Sequence, residues 1–358
     1  MKLLRLAATA FIVLSLSAHG ESQGIPEAGI SESAISLSND AYHFLYWLGT
    51  TQPGSYTEWW YFNVYDSSNN VQAIFSYLVT NPASLPGGVS PLGISDMAVV
   101  AYTGGGIVTE SDLYLTHVFS AAYDKANVQI GSNSIAVIDP DTYQIKGATR
   151  DSRILWDLTY RRTAPAWDAA VRFNVAPEPW ELMSWLLYMP AAAVSGTLTV
   201  DGTSYNVSAS GYHDHNWGEW ELTGVPWNWA QYSQPGLSFD LGDFPNKPGG
   251  IASIAVDGQR YIFQSSQYTL THTAWAYDSV HNLYYPTESV FEADNGTARM
   301  TLTMTVQSTT ELSAPLSASD PNAIIYEQTA TYEGQVAIHG KSTSFTGNGF
   351  KEYTALTQ

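Results

Sequence analysis

The chain has 358 residues and a formal net charge of -19, from 33 acidic and 14 basic side chains, a balance that excludes nucleic acid and anionic membranes as partners. Cysteine is absent, so the fold is held without disulfides. Its core must come from apolar side chains, among them 12 Trp, 23 Tyr and 12 Phe.

The chain opens MKLLRLAATAFIVLSLSAHG, with Lys2 and Arg5 before an apolar run from Leu6 to Leu16 and small residues at Ala18 and Gly20. The run is shorter than the roughly 20 residues of a transmembrane helix, so it reads as a secretory signal peptide cleaved after Gly20. That predicts a soluble chain in the secretory pathway or outside the cell, with no transmembrane segment. Residues 21–35 read as a mobile arm. Beyond them strand signals dominate: alternating β-branched and aromatic runs at Glu58–Tyr65, Val71–Val79, Gly196–Val200, Tyr261–Gln267 and Ala298–Val306. Asp66–Asn70, Asp201-Gly202 and Asp257-Gly258 supply turns, the Asp-Gly pairs offering the positive φ of a tight hairpin. Only Pro179–Tyr188 (PWELMSWLLY) reads as a short helix, and the class is all-β. A boundary near Gly224-Val-Pro226 gives two domains, 21–225 and 226–358. Two glycosylation sequons stand at Asn206 and Asn295, both in turn-like polar settings.

The stretch GYHDHNWGEWEL, Gly211–Leu222, admits three readings. His213 and His215 share one face of a strand, and Glu219 follows four residues later, a cupin-type metal arrangement that His272, His281 or His339 would complete. Gly218 interrupts that strand, which weighs against metal. A histidine in an aromatic pocket could instead exchange a proton near neutrality. Asp214, however, alternates to the opposite face and cannot simply orient it. The third reading is a buried structural cluster that satisfies the backbone at a domain junction. Two features argue for more than structure. Trp217, Trp220, Trp227 and Trp229 fall within 13 residues. In GSYTEWWYFNVY, Glu58, Trp60 and Phe62 face one way and Trp59, Tyr61 and Asn63 the other, so a carboxylate is mixed with large rings as in a ligand cavity.

TEWWYFN, PEPWELMSWLLYMPAAAVSGTLTVDG, GYHDHNWGEWE and GNGFKEYTAL together resemble the carotenoid 1,2-hydratase (hydroxyneurosporene synthase)-like superfamily with tandem lipocalin-like domains. The likeness spans almost the whole chain after the leader, and GYHDHNWG is its most specific element. The resemblance implies an N-terminal β-sandwich and a C-terminal lipocalin-like β-barrel with a ligand pocket between them. Besides the hydratases, that superfamily includes fungal Diels–Alderases, which fold reactive intermediates in such a pocket. His215 and Trp217 match the His-x-Trp pair of the hydratases. Ser238-Phe239-Asp240 stands nearest to their Tyr-x-Asp pair, keeping the acid and lacking the tyrosine, which weighs against hydration.

The expectation is therefore a cofactor-free pericyclase, a Diels–Alderase or hetero-Diels–Alderase of secondary metabolism. It would act on an apolar polyketide or terpenoid precursor with no metal and no obligate protein partner. Its catalytic residues would be His215, Trp217 and Asp240, and Glu58, Trp59, Trp60, Trp227, Trp229 and Tyr232 would bind substrate. Two alternatives stay open: hydration or isomerisation of an isoprenoid double bond by His215, and a non-enzymatic lipocalin-like carrier of an apolar ligand.

Overall fold

The computed structural model describes residues 35–44, 56–80, 94–169, 173–174, 182–219, 226–245, 250–313 and 323–356. The expected leader and nearly all of the expected arm lie outside them, as does Trp220. No α-helix occurs among the described residues, only 3-10 turns at Leu37–Asp40, Thr116–Val118 and Ser265–Gln267. Strands fill most of the rest, forming two curled, lipocalin-like sheets in which every pairing is antiparallel.

The first sheet comprises β1 (Tyr56–Asp66), β2 (Val71–Thr80), β3 (Ile94–Thr103), β4 (Gly106–Leu115), β5 (Phe119–Ala121), β6 (Val128–Ile130), β7 (Asn133–Asp139), β8 (Thr142–Ala148), β9 (Ile154–Arg162), β10 (Trp167–Asp168), β11 (Phe173–Asn174), β12 (Leu182–Val200) and β13 (Thr203–Glu219). Its order is β4-β3-β2-β1-β13-β12-β9-β8-β7-β6-β5, with β10 and β11 also on β12. The second comprises β14 (Asn228–Gln234), β15 (Leu237–Asp243), β16 (Ile251–Val256), β17 (Gln259–Gln264), β18 (Tyr268–Asp278), β19 (Leu283–Asp294), β20 (Ala298–Ser313), β21 (Ala323–Ile338) and β22 (Lys341–Leu356), ordered β17-β16-β15-β14-β22-β21-β20-β19-β18. Of the expected junction at Gly224-Val-Pro226 only Pro226 is described, since residues 220–225 lie outside the described set.

Strand chemistry sets which faces are covered. In β9, Ile154, Trp156, Leu158 and Tyr160 are buried while Leu155 and Arg161 are exposed, the alternation of a sheet with one face in water. β1 is buried on both faces along nearly its whole length. Inside the first sheet, Trp60 and Phe62 pack with Phe75, Tyr77, Trp156 and Tyr160. On its other face Tyr61 packs with Trp185, Tyr212 and Trp229 in a cluster that also includes Phe244, Ile251 and Phe350 of the second half. Tyr232, Phe239, Phe291 and Tyr332 fill the second sheet. Direct bonds join the halves: Asn63 Nδ2 donates to Gln231 Oε1 at 3.1 Å, Asn348 Nδ2 to Tyr65 Oη at 2.7 Å, and Tyr102 Oη to the Glu327 carbonyl at 3.2 Å.

Burial on both faces also corrects the helix expected at Pro179–Tyr188. Its described part, from Leu182, is the start of β12. Trp185 and Leu187 face the inter-sheet cluster, and Leu186 and Tyr188 face the interior of the first sheet. A strand covered on both sides reads as a continuous apolar run, which periodicity cannot tell from helix. Gly196–Val200 is the far end of the same 19-residue strand rather than a strand of its own.

The turns follow local chemistry. Asp201 and Gly202 have φ of 47° and 78°, and Asp257 and Gly258 have φ of 50° and 81°, the two left-handed residues of a hairpin turn whose twist matches its strands. At the β1–β2 turn Asp66 Oδ1 accepts from the Ser68 and Asn69 N–H groups. Of the two sequon residues, Asn206 is exposed. Asn295 donates Nδ2 to the Ile262 carbonyl at 2.8 Å and accepts at Oδ1 from the Thr297 and Ala298 amides, so Asn206 is the more accessible. A Cβ at Gly202 must adopt the left-handed region, so Gly202→Ala is expected to lower stability by about 1 kcal/mol in urea titration. Gly104→Ala, whose added Cβ makes ordinary contact with Asn70 at 3.7 Å, should leave the midpoint in place.

Candidate active site

The two stretches that stood out in the sequence are neighbours: β1 pairs with β13 in a register that sets Glu58 opposite Trp217, Trp60 opposite His215 and Phe62 opposite His213. The intervening pairs are Trp59 with Asn216, Tyr61 with Asp214, and Asn63 with Tyr212. Directly opposed residues share a face, so one pairing builds two sites, one inside the first sheet and one facing the second sheet.

The interior site is a sealed charge network. Ser36 opens the Leu37–Asp40 turn, its N–H donating to Asn39 Oδ1 at 2.9 Å and its carbonyl accepting from the Asn39 N–H at 3.1 Å, and the turn presents Asp40 to the histidines. His213 bridges the Tyr61 carbonyl (Nδ1, 2.9 Å) and Asp40 Oδ2 (Nε2, 3.0 Å). His215 donates from Nε2 to Glu58 Oε1 at 2.8 Å. Its Nδ1 stands 3.2 Å from Asp40 Oδ1, an ion-pair contact without the alignment of a hydrogen bond. Glu58 also accepts from the Tyr56 hydroxyl and, at 3.0 Å, the His43 amide. Rings close over the charges: Trp60 stacks on His215, Trp217 on His43 and Phe62 on His213, with centroids 4.5, 3.8 and 4.0 Å apart.

Burial alone would raise both carboxyls, but the histidines overcome it and hold Asp40 and Glu58 below their ordinary values. For His215 burial works downward, and the two carboxylates outweigh it and raise the imidazole. His43 is the exception, since burial lowers it in spite of its bond to Glu58. Asp40, Glu58, His213 and His215 are all fully enclosed.

The opposite face opens onto a narrow cavity of about 60 Å³ between the sheets. Trp59, Tyr61, Trp185, Trp227, Trp229 and Phe244 supply its aromatic walls, and Asp214, Asn216, Asn228, Asp243 and Glu352 its polar groups. Trp185 reaches the second sheet because Gly242 lacks a side chain: a Cβ there would lie 2.8 Å from the indole. Asp214 Oδ2 accepts from Trp185 Nε1 (2.8 Å) and Tyr212 Oη (2.7 Å), and Oδ1 from Asn216 Nδ2 (3.1 Å). Burial outweighs these bonds and pushes the Asp214 carboxyl up to about 7.

The structure divides the expected site residues. Trp59, Trp227 and Trp229 line the cavity. Glu58, Trp60, His215 and Trp217 belong to the interior network instead, on the far face of the same two strands. Asp240 is fully buried within the second half, beside Ser253 Oγ (3.2 Å) and Arg260 (3.4 Å), and burial raises it to about 7. Tyr232 stacks on Tyr332 in the second core and borders a separate, polar groove. Sequence reasoning missed Asp40 and His43, which sit far along the chain from the histidines they meet. It also missed Asp214 as a cavity residue, although the alternation that set it opposite His213 and His215 was the signal.

As for metal, His43, Glu58 and His215 could each offer a ligand atom within 4.8 Å of the others, as could Asp278, His281 and Glu311 in the second sheet. The cupin-type set is not assembled among the described residues. Both nitrogens of His213 are engaged, His272 bonds Ser289 Oγ at 2.8 Å, and His281 bonds Asp278 Oδ2 at 2.7 Å.

Solved structures share this architecture. An AttH-type protein, NE1406 from Nitrosomonas europaea, superposes with a TM-score of 0.66 at 14% identity, covering 84% of this chain and 93% of that one. CghA crystallised with Sch210972 gives 0.58 at 13%, covering 85% and 89%, and CghA alone gives 0.57 at 12%. The likeness is one of fold. No protein-family model and no curated protein sequence matches the chain.

The interior network predicts a specific stability profile. Removing one member strands buried charge, so His215→Gln is expected to cost roughly 3–5 kcal/mol by chemical denaturation. His215 has a raised folded pKa, so its contribution is complete below the unfolded value of 6.5 and lost as pH rises through the folded value. The gap between wild type and His215→Gln should therefore be widest near about pH 6 and shrink in alkali. A gap that widens with pH would contradict the network.

Proposed function

We propose that this protein is a cofactor-free pericyclase, a Diels–Alderase or hetero-Diels–Alderase that closes a ring in an apolar polyketide or terpenoid precursor held between the sheets. The observation that carries the reading is the inter-sheet cavity, whose walls are indoles and whose one deeply buried acid, Asp214, is held close to half-protonated at neutrality. Cycloaddition needs no nucleophile. It needs diene and dienophile pressed into a reactive fold, and rigid aromatic surfaces fixed by hydrogen bonds supply that. The indole of Trp185 is fixed by Asp214 and that of Trp227 by Glu352 Oε2 at 2.9 Å, so neither rotates freely. A protonated Asp214 donates to the carbonyl of the electron-poor partner, a bond that strengthens as charge shifts onto that oxygen in the transition state. In this proposal the leader of residues 1–20 sends the enzyme into the secretory pathway, where Asn206 is the more accessible glycan acceptor.

Protonation of an isoprenoid double bond, followed by hydration or isomerisation, is a second reading favoured by the same carboxyl. In that reading the acid is Asp214 rather than the enclosed His215. The two separate in deuterated water, because cycloaddition adds no solvent atom to carbon whereas protonation leaves deuterium there. A carrier would return its ligand unchanged.

The test is incubation of purified protein with linear polyenes bearing a tethered enone, followed by chiral chromatography. One enantiomer of the cycloadduct is expected in excess, without deuterium on carbon. Only the protonated acid donates, so the wild-type rate should fall as pH rises through about 7. Asp214→Asn keeps a donor and should flatten that profile, and Asp214→Ala should lower kcat by about a hundredfold. A racemic adduct at the uncatalysed rate would end the proposal.

A further inference from the structure

We infer that the molecule bound between the sheets carries a protonated amine on its apolar frame. This rests on the reading of the cavity as the substrate site, and adds the charge of what fills it. Among the described residues lining the cavity there is no lysine, arginine or histidine, but three acids, Asp214, Asp243 and Glu352, stand among its aromatic walls. Indole faces attract cations through their negative quadrupole, and the attraction grows in a site shielded from water.

The hydrogen-bonding inventory points the same way. Glu327 and Glu352 are opposed across β21 and β22; burial raises both carboxyls, and Glu352 raises Glu327 further while the bond from Glu327 works to lower Glu352. Trp227 Nε1 donates to Glu352, whose carboxyl also lies within hydrogen-bonding reach of Glu327 behind it. Asn228, 3% exposed, gives its Nδ2 to Asp243 Oδ2 at 3.1 Å, and this leaves its Oδ1 unpartnered. The indole donors of Trp185 and Trp227 are already committed to carboxylates. In the described lining, Asn228 Oδ1 is an acceptor without a donor, the Tyr61 hydroxyl is free to donate or accept, and no protein cation stands opposite the acids.

The nearby protein cations do not supply these. Lys351 alternates to the other face of β22 from Glu352, where its Nζ donates to Gln328 Oε1 at 3.2 Å. Arg260 lies against Asp240 and donates to the Pro165 carbonyl at 2.9 Å. A bare metal ion fits less well than an organic ammonium. The three acids come from β13, β15 and β22 rather than converging as one oxygen cage, and indole faces offer no oxygen ligands. An ammonium N–H group can satisfy Asn228 Oδ1 and Glu352 while its alkyl carbons lie on the rings.

Three probes of similar shape test this: phenylbutylamine, phenylbutanol and phenylbutyrate, each titrated at neutral pH into the purified full chain while tryptophan fluorescence is followed. The amine should bind about tenfold more tightly than the alcohol, and the acid most weakly. Glu352→Gln keeps the shape and the bond from Trp227, and should bring amine and alcohol close to parity without weakening the alcohol. Alcohol or acid binding as tightly as the amine, or no quenching by any of the three, would overturn the inference. So would a Glu352→Gln protein that binds the alcohol normally and keeps the full preference for amine. If neutral polyene enones are cyclised enantioselectively while the amine shows no advantage, the pericyclase reading stands and only the charge assignment fails.

Discussion

A single strand register underlies the rest of this molecule. With Trp60 opposite His215 and Tyr61 opposite Asp214, β1 and β13 turn one set of side chains inward and the alternate set toward the second sheet. A slip of one residue would exchange the two sets, carrying His213 and His215 to the cavity and Asp214 to the interior. The interior network fixes the register, because His213 and His215 meet Asp40 and Glu58 only in this alignment. The cavity face inherits its geometry from a network it never touches.

The two faces handle buried acid in opposite ways. Inside, imidazoles oppose the effect of burial and hold the carboxyls below their ordinary values, so the acids stay ionised. Toward the second sheet, Asp214 has neutral hydrogen-bond donors as its partners, and burial keeps it near the point where it can give or hold a proton. The same residue type is thus held ionised on one side of a strand and shifted toward its neutral form on the other. This contrast explains why the histidines, the more obvious catalytic residues, are the ones enclosed.

Much of the fold was legible. The all-β class followed from period-2 alternation, and the Asp-Gly turns followed from left-handed residues that the structure shows at Asp201, Gly202, Asp257 and Gly258. The helix expected near Pro179 failed because the start of β12 is covered on both sides, which erases the alternation that marks a strand. At the site, the alternation of Glu58 to Asn63 and of His213 to Asn216 was readable, and it separated the two faces correctly. Which face met the second sheet was not, since that depends on Trp185, Phe244, Phe350 and Glu352, contributed by strands far apart in the chain. Asp40 was illegible for the same reason: nothing local distinguishes an acid that will pair with histidines 173 residues away.

Glu352 and Phe350 lie on β22, which pairs with β14 and β21 and so joins the two ends of the second sheet's sequence. During synthesis the first sheet can close once β13 has left the ribosome, histidine network included. The cavity cannot exist until β22 follows more than a hundred residues later. Without β22, Trp59, Tyr61 and Trp185 lack part of the cover that the second sheet gives them. Part of the cover of this aromatic face is therefore encoded on β22, far along the chain from the strands it covers.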